Sequence, residues 1–291
     1  MMRNIPALEN DGAPAPGLYK DVAFNTYASW NAINASTLVP YLQSAMHGKY
    51  AQDHPEVTTK SQSLGTAAHA AILEPERFSS CFVKKPAFPN PLRNSSKQAA
   101  INFIRQAEAA GQEVVTAAEW ELAVGMREKV YSHTTVAEIF ACPGLREVCL
   151  VWIDFEYGVK CKCRIDAMAL WLGHSLIIDL KSIQDAQPQP CRNAAARFNY
   201  PLKLAWYRMG ATALDPKERE AALIFVEQKP PHGVTLWHVE PKTMDRGHTE
   251  ARICLDRYVK GLKTGVYPGY DTGMNMLELP KWAQTFTNEE A

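Results

Sequence analysis

The chain has 291 residues, 46% hydrophobic and 21% charged, a composition that excludes a disordered, collagen-like or low-complexity protein. Its 31 basic and 31 acidic side chains cancel. The balance lacks the basic excess common in nucleic-acid-binding domains, although an acidic centre beside a basic groove gives the same sum. No apolar run approaches the length of a membrane span, and residues 1–11 hold no apolar core, so no membrane contact and a cytoplasmic location are expected.

Residues 1–30, rich in Pro, Gly, Asn and Ala, are expected to wrap the surface of a single domain over 31–291, because no Gly/Ser-rich or charged linker divides the remainder. Ser36 precedes an apolar-periodic stretch and is the expected N-cap of a helix over 36–46. After a polar loop, a small-residue helix is expected over 64–74, ended by Pro75. Pro86, Pro89 and Pro91 predict loop throughout 82–96. A helix over 97–110 stops at Gly111. Thr116 and Glu119 then make a T-x-x-E capping box for another helix running toward His133.

From Glu147 the period shortens to two. Residues 147–154 and 159–170 read as strands about a Glu156-Tyr157-Gly158 turn, and 176–181 as a central strand. Helix resumes over 194–214, divided at Pro201. Residues 222–227 and 233–239 are strands joined through Pro230-Pro231-His232-Gly233, and a last helix over 244–262 ends near Gly265. This order predicts an α/β fold, a mixed central sheet flanked by helices.

The seven cysteines are odd in number and form no C-x-x-C pair. Cys161 and Cys163 share a strand face but are poorly placed to bond each other. Only Cys254 lies beyond Cys191, so the C-terminal part offers no cysteine cluster to an iron–sulfur centre. Free structural thiols are expected.

The chemistry concentrates in Arg164-Ile165-Asp166 and Ile178-Asp179-Leu180-Lys181. Phosphodiester hydrolysis needs a divalent cation, and Mg²⁺ takes oxygen ligands, usually one or two carboxylates with water and phosphate. Asp166 and Asp179 offer carboxylates from adjacent strands. Asp179 and Lys181, two apart, project to one face, and the Leu180 carbonyl is free to be a further ligand. A plain strand-end salt bridge also explains a D-x-K tripeptide. Against it, an unpaired carboxylate following the apolar run 176–178 is costly.

A second constellation enlarges this one. Leu64-Gly65-Thr66-Ala67-Ala68-His69 runs on through Ala70-Ala71-Ile72-Leu73-Glu74-Pro75-Glu76-Arg77-Phe78. Cys161-Lys162-Cys163-Arg164-Ile165-Asp166, Ile178-Asp179-Leu180-Lys181-Ser182 and Leu279-Pro280-Lys281-Trp282-Ala283 follow in order. In these segments the chain resembles the RecE-type exonucleases (exodeoxyribonuclease VIII) of the PD-(D/E)xK superfamily, which also holds lambda-type exonucleases and RecB-like nuclease domains. The resemblance covers nearly the whole chain.

The resemblance implies a PD-(D/E)xK, restriction-endonuclease-like core whose DNA channel has helices 36–46 and 64–74 as one wall. It implies that His69 joins Asp166, Asp179 and the Leu180 carbonyl at the metal, and that Lys181 is the catalytic lysine. On the residues alone, a histidine among alanines is more often structural. Glu147 matches a family glutamate of unassigned role, and an exposed strand-end carboxylate is an equal reading. Ser36 matches a position that contacts a DNA 5′ phosphate, while capping explains it nearly as well. Two departures stand out: Ile165 replaces the proline of the P-D dipeptide, and Lys203 replaces the glutamine of the Q-x-x-x-Y pattern that ends at Tyr207. Lys203 and Tyr207 remain the expected DNA contacts.

The implied activity is ATP-independent, Mg²⁺-dependent 5′→3′ degradation of linear double-stranded DNA, with Mn²⁺ able to substitute. The absence of a G-x-x-x-x-G-K-[ST] loop agrees with independence from ATP. The product would be a 3′ single-stranded tail for homologous recombination, in a phage or prophage setting, through a single-strand annealing protein of the RecT/Redβ type. The expected assembly is a homo-oligomeric ring, trimeric or tetrameric. The rivals are a RecB-like nuclease of other polarity or single-strand preference, and a non-cleaving DNA- or partner-binding protein on the same fold.

Overall fold

A computed structural model of the chain describes residues 12–55, 60–88, 94–270 and 273–280; Lys281, Trp282 and Ala283 lie outside them. Strand β1 (Gly17–Tyr19) and helix α1 (Phe24–Ser29) lead into α2 (Ala35–Leu38), a 3-10 turn (Val39–Leu42) and α3 (Ala45–Asp53). Next come α4 (Lys60–Leu73), α5 (Pro75–Cys81), β2 (Phe82–Lys84), α6 (Asn94–Ala109), β3 (Glu113–Val115), α7 (Ala117–Ser132) and α8 (Thr134–Ala141). Strands β4 (Gly144–Ile153), β5 (Lys160–Trp171) and β6 (His174–Ile183) precede α9 (Pro188–Arg197) and α10 (Tyr200–Leu214). Then β7 (Glu220–Glu227), β8 (Val234–His238) and α11 (Pro241–Thr264) follow.

The six-stranded sheet has the order β1-β4-β5-β6-β7-β8. Hairpin connections make β4, β5 and β6 antiparallel neighbours. Helices α9 and α10 form the crossover that brings β7 back parallel to β6. The expected mixed sheet flanked by helices is therefore the observed one. Its two faces build separate cores. One holds Leu38, Tyr41, Trp206 and Leu255 under α2, α10 and α11; the other holds Ala71, Ile72, Met126 and Ile139 under α4, α7 and α8. Trp206 donates to the Lys162 carbonyl at 3.0 Å, pinning α10 to β5. Gly247 lets α11 cross the start of α10, where a Cβ would lie 2.2 Å from the Pro201 carbonyl.

Several local expectations need correction. The single helix over 36–46 is broken, because a 3-10 turn with Pro40 in its first turn interrupts it and Ser44 caps a new helix that extends to Asp53, into the expected polar loop. The N-cap of α2 is Asn34, whose side chain accepts from the Thr37 N–H at 2.9 Å, so Ser36 lies within the first turn. Phe82–Lys84, expected as loop, pairs with Glu113–Val115. Residues 17–30 also do more than wrap the surface: β1 pairs with β4, and Tyr27 and Trp30 pack on Cys149 and Val151. The Thr116–Glu119 capping box forms as expected, and Gly265 ends α11 in the left-handed region. Among the described residues no helix is long and apolar enough to cross a membrane.

Candidate active site

The site sits where the sheet stops pairing with itself. The β5–β6 register runs from Trp171↔His174 to Ala167↔Ile178 and ends there. Asp166 and Asp179 occupy the next position on each strand. Beyond it β5 stays with β4, while β6 continues with β7 as far as Ile183. The β4–β5 register brackets Glu147 and Asp166 between Arg146↔Ala167 and Val148↔Ile165, and Glu147 has φ +48°. A left-handed residue inside a strand is strained and rotates the chain. On the facing strand, Cys161, Cys163 and Ile165 face one core, whereas Ala167 and Ala169 face the other.

The gap fills with polar groups. The Leu180 N–H, left without a β5 partner, donates to Asp166 Oδ2 at 2.7 Å. The Leu180 carbonyl turns to the same side and accepts from Lys181 Nζ at 3.1 Å, so it faces the fork. Lys181 Nζ lies 2.6 Å from Asp179 Oδ2 and 3.9 Å from Asp166 Oδ2. His69 reaches in from α4, its Nδ1 3.7 Å from Asp166 Oδ2. Burial pushes the Asp179 carboxyl up and the nearby Asp166 charge adds to this, against the pull of Lys181. For Lys181, burial alone would lower the pKa, but Asp179 and Asp166 outweigh it and hold the ammonium charged.

These residues fit a divalent cation. Asp179 is 0% exposed, and although the ammonium is close, neither carboxylate oxygen has an aligned hydrogen-bond donor. A carboxylate in that state is costly, and a hard cation relieves the cost. His69, Glu147 and Asp166 can each bring one ligand atom to within 4.8 Å of the others. Asp179 does not belong to that cluster. The cysteines are free and mostly buried; Cys149, next to Arg164, is pushed up to about 11 by burial, which disfavours a thiolate ligand.

Glu147 is neither exposed nor at a strand end, because β4 begins at Gly144 and the Glu147 side chain is 11% exposed. It is paired with Arg164 Nε. Burial and then Asp166 raise its pKa, while Arg164 and His69 lower it. Arg164 also donates to the Val22 carbonyl at 2.7 Å and lies 3.6 Å from Glu74, between α4 and α5, tying that junction, β4 and the N-terminal segment together. Lys162 caps the end of α1, donating to the carbonyls of Tyr27, Ala28 and Trp30 at 2.8, 3.1 and 2.6 Å. The sequence reading gave neither cation a role. Their alternation with cysteines on β5 was the available signal.

A cleft of about 1680 Å³ opens over this centre, lined among others by Ser36, His69, Arg77, Lys85, Lys203 and Tyr207. Tyr200, Lys203 and Tyr207 recur at helical spacing along one face of α10 and reach the cleft together. Burial lowers the Lys203 pKa, and Lys181 lowers it further. Ser36 is exposed at the cleft, on a four-residue helix too short to gather much of a dipole. Helices α2 and α4 pack on opposite faces of the sheet. They flank the cleft instead of forming one wall of it.

A family profile described as a PDDEXK-like domain of unknown function (DUF3799) matches residues 35–279. Among curated proteins none matches. The chain is similar in fold to a protein of Eubacterium rectale described as a "putative exonuclease", at 10% identity and TM-score 0.55, covering 90% of this chain and 96% of that one. A phage related exonuclease from Haemophilus somnus 129PT aligns at 10% identity and TM-score 0.35, over 81% of this chain and 96% of the other. With the profile spanning most of its length and an α/β core that forks at Asp166 and Asp179, the chain belongs to the PDDEXK-like DUF3799 family.

Proposed function

We propose that the protein is a metal-dependent exonuclease that degrades one strand of linear duplex DNA. The observation that carries this reading is the fork between β5 and β6, where buried, donor-poor Asp179 faces Asp166 and Lys181 beneath an open cleft. Asp166 and Asp179, with His69, Glu147 and the Leu180 carbonyl as further donors, would hold a divalent cation, which would supply Lewis acidity toward a phosphate and lower the pKa of a water. Mg²⁺ suits the carboxylates, and the imidazole of His69 favours Mn²⁺ as a substitute.

Lys181 is held protonated by Asp179 and Asp166. Its ammonium, beside both carboxylates, is placed to orient the attacking water and to balance charge on the phosphate oxygens. Lys203 and Tyr207, on the cleft face of α10, hold the phosphate backbone from the other side. Arg164 keeps Glu147 turned toward the site.

Direction and biology follow the RecE-type resemblance: 5′→3′ digestion without ATP, leaving 3′ tails for a RecT/Redβ-type annealing protein, by a trimeric or tetrameric ring. Linear duplex labelled separately at its 5′ and 3′ ends tests the polarity. Early release of 5′ label with Mg²⁺ and no ATP, and resistance of closed circles, are the expected results. Equal loss of both labels, or cutting of closed circles, overturns the polarity and the exonuclease reading respectively.

A further inference from the structure

The cleft has an aromatic feature that phosphate chemistry does not use. Helix α9 ends at Arg197 and α10 restarts at Tyr200, because Asn199 takes a left-handed conformation at φ +53°. That break turns Phe198 into the cleft, 48% exposed. Its ring stacks on Tyr200, with centroids 5.9 Å apart and planes at 25°. Tyr200 is 8% exposed and is the fixed floor of the pair. The Tyr200 ring carries Lys181 Nζ at 5.5 Å and Lys203 Nζ at 5.6 Å, so one aromatic surface leads outward from the two ammonium groups beside the centre. The Arg197 guanidinium lies 5.5 Å from the Phe198 centroid. A cation beside an aromatic ring on a floor of fixed orientation is the arrangement by which proteins take a nucleotide, phosphate to the cation and base to the ring.

We infer that Phe198, seated on Tyr200, is a stacking platform for one unpaired nucleobase of the strand held at the candidate active site. The inference rests on the nuclease reading and adds a substrate requirement to it. A base inside a duplex shows the protein only its edges, so its face reaches Phe198 only when that nucleotide is out of the helix. Every base has a π-face, so the platform tolerates any sequence. Phe24 of α1, 62% exposed, lines the same cleft, which makes the apolar surface there broader than one ring.

The test uses a 5′-phosphorylated single-stranded oligodeoxynucleotide with 2-aminopurine placed at successive positions, bound in Ca²⁺ without Mg²⁺. The wild-type protein quenches the fluorophore at one position by stacking. Phe198→Ala binds about tenfold more weakly, the loss of ~1.4 kcal/mol expected for one stacked base, and does not quench there. Phe198→Leu keeps the apolar bulk without a π-face and behaves like the alanine variant, whereas Phe198→Trp restores the quench. Undiminished quenching in Phe198→Ala and Phe198→Leu, or no position-specific quench in wild type, overturns the platform. If wild type also digests linear duplex with Mg²⁺, only the platform falls; if wild type neither binds the oligonucleotide nor digests duplex, the nuclease reading falls with it.

Discussion

Strands β5 and β6 are two different structures joined end to end. From Trp171↔His174 to Ala167↔Ile178 they form an ordinary antiparallel ladder, with Ala167, Ala169, Leu176 and Ile178 buried in one core. One residue further on, the ladder is gone and its place is taken by two carboxylates, an ammonium and a peptide N–H that bonds a side chain. The closed half satisfies its backbone and buries its side chains, so it contributes stability. The open half buries Asp179 without an aligned donor, although the Lys181 ammonium is 2.6 Å away, a cost that functional sites commonly carry.

Substitutions on either side of that boundary should therefore fail differently. Asp179→Ala lowers nucleotide release by about a thousandfold, ~4 kcal/mol of barrier, and abolishes the rise in melting temperature that divalent cations give the wild type. Activity within about tenfold of wild type would remove Asp179 from the site. Ile178→Ala, one residue away in the closed half, costs about 3 kcal/mol of stability as its core cavity opens. Its urea midpoint falls while the rate per folded molecule stays near wild type; a proportional loss of rate would mean that the two halves are not separable.

Lys181→Ala sharpens the comparison within the open half. Its rate falls about a hundredfold, the usual cost of one charged donor, at an unchanged metal concentration for half-maximal activity. A shifted metal requirement would instead make the lysine part of the cation site. The smallest effect belongs to His69, at the rim and 26% exposed in its side chain. His69→Ala raises the Mg²⁺ needed for half-maximal activity about tenfold, ~1.4 kcal/mol. Lost thermal stability at an unchanged metal requirement would return it to a structural role.

Much of this was legible from the residues. Asp166, Asp179 and Lys181 stood at the ends of apolar runs, and period-two alternation placed them on neighbouring strands. Gly265 and the Thr116–Glu119 box marked helix ends through local chemistry that carries into the fold. The fork itself was hidden. Cys161, Cys163, Ile165, Ala167 and Ala169 alternate without a break in the sequence, yet they divide between two cores. Nor does the sequence mark Glu147, opposite Asp166, for its left-handed backbone, since glutamate has no preference for φ > 0. The capping role of Asn34 over Ser36, and the stop at Pro40, depend on choices between adjacent candidates that local pattern leaves nearly equal. Arg164 gains its meaning from partners distant in the chain, Val22, Glu74 and Glu147.

What the open half does to DNA is the most direct test of the site. Linear duplex with 5′ phosphates, incubated with the wild-type protein and no ATP, should release acid-soluble nucleotide as Mg²⁺ is titrated in and none when EDTA is present. Binding of the same duplex with no release under Mg²⁺ or Mn²⁺ would contradict it, and would leave the fork between Asp166 and Asp179 as a binding feature of a protein that does not cut.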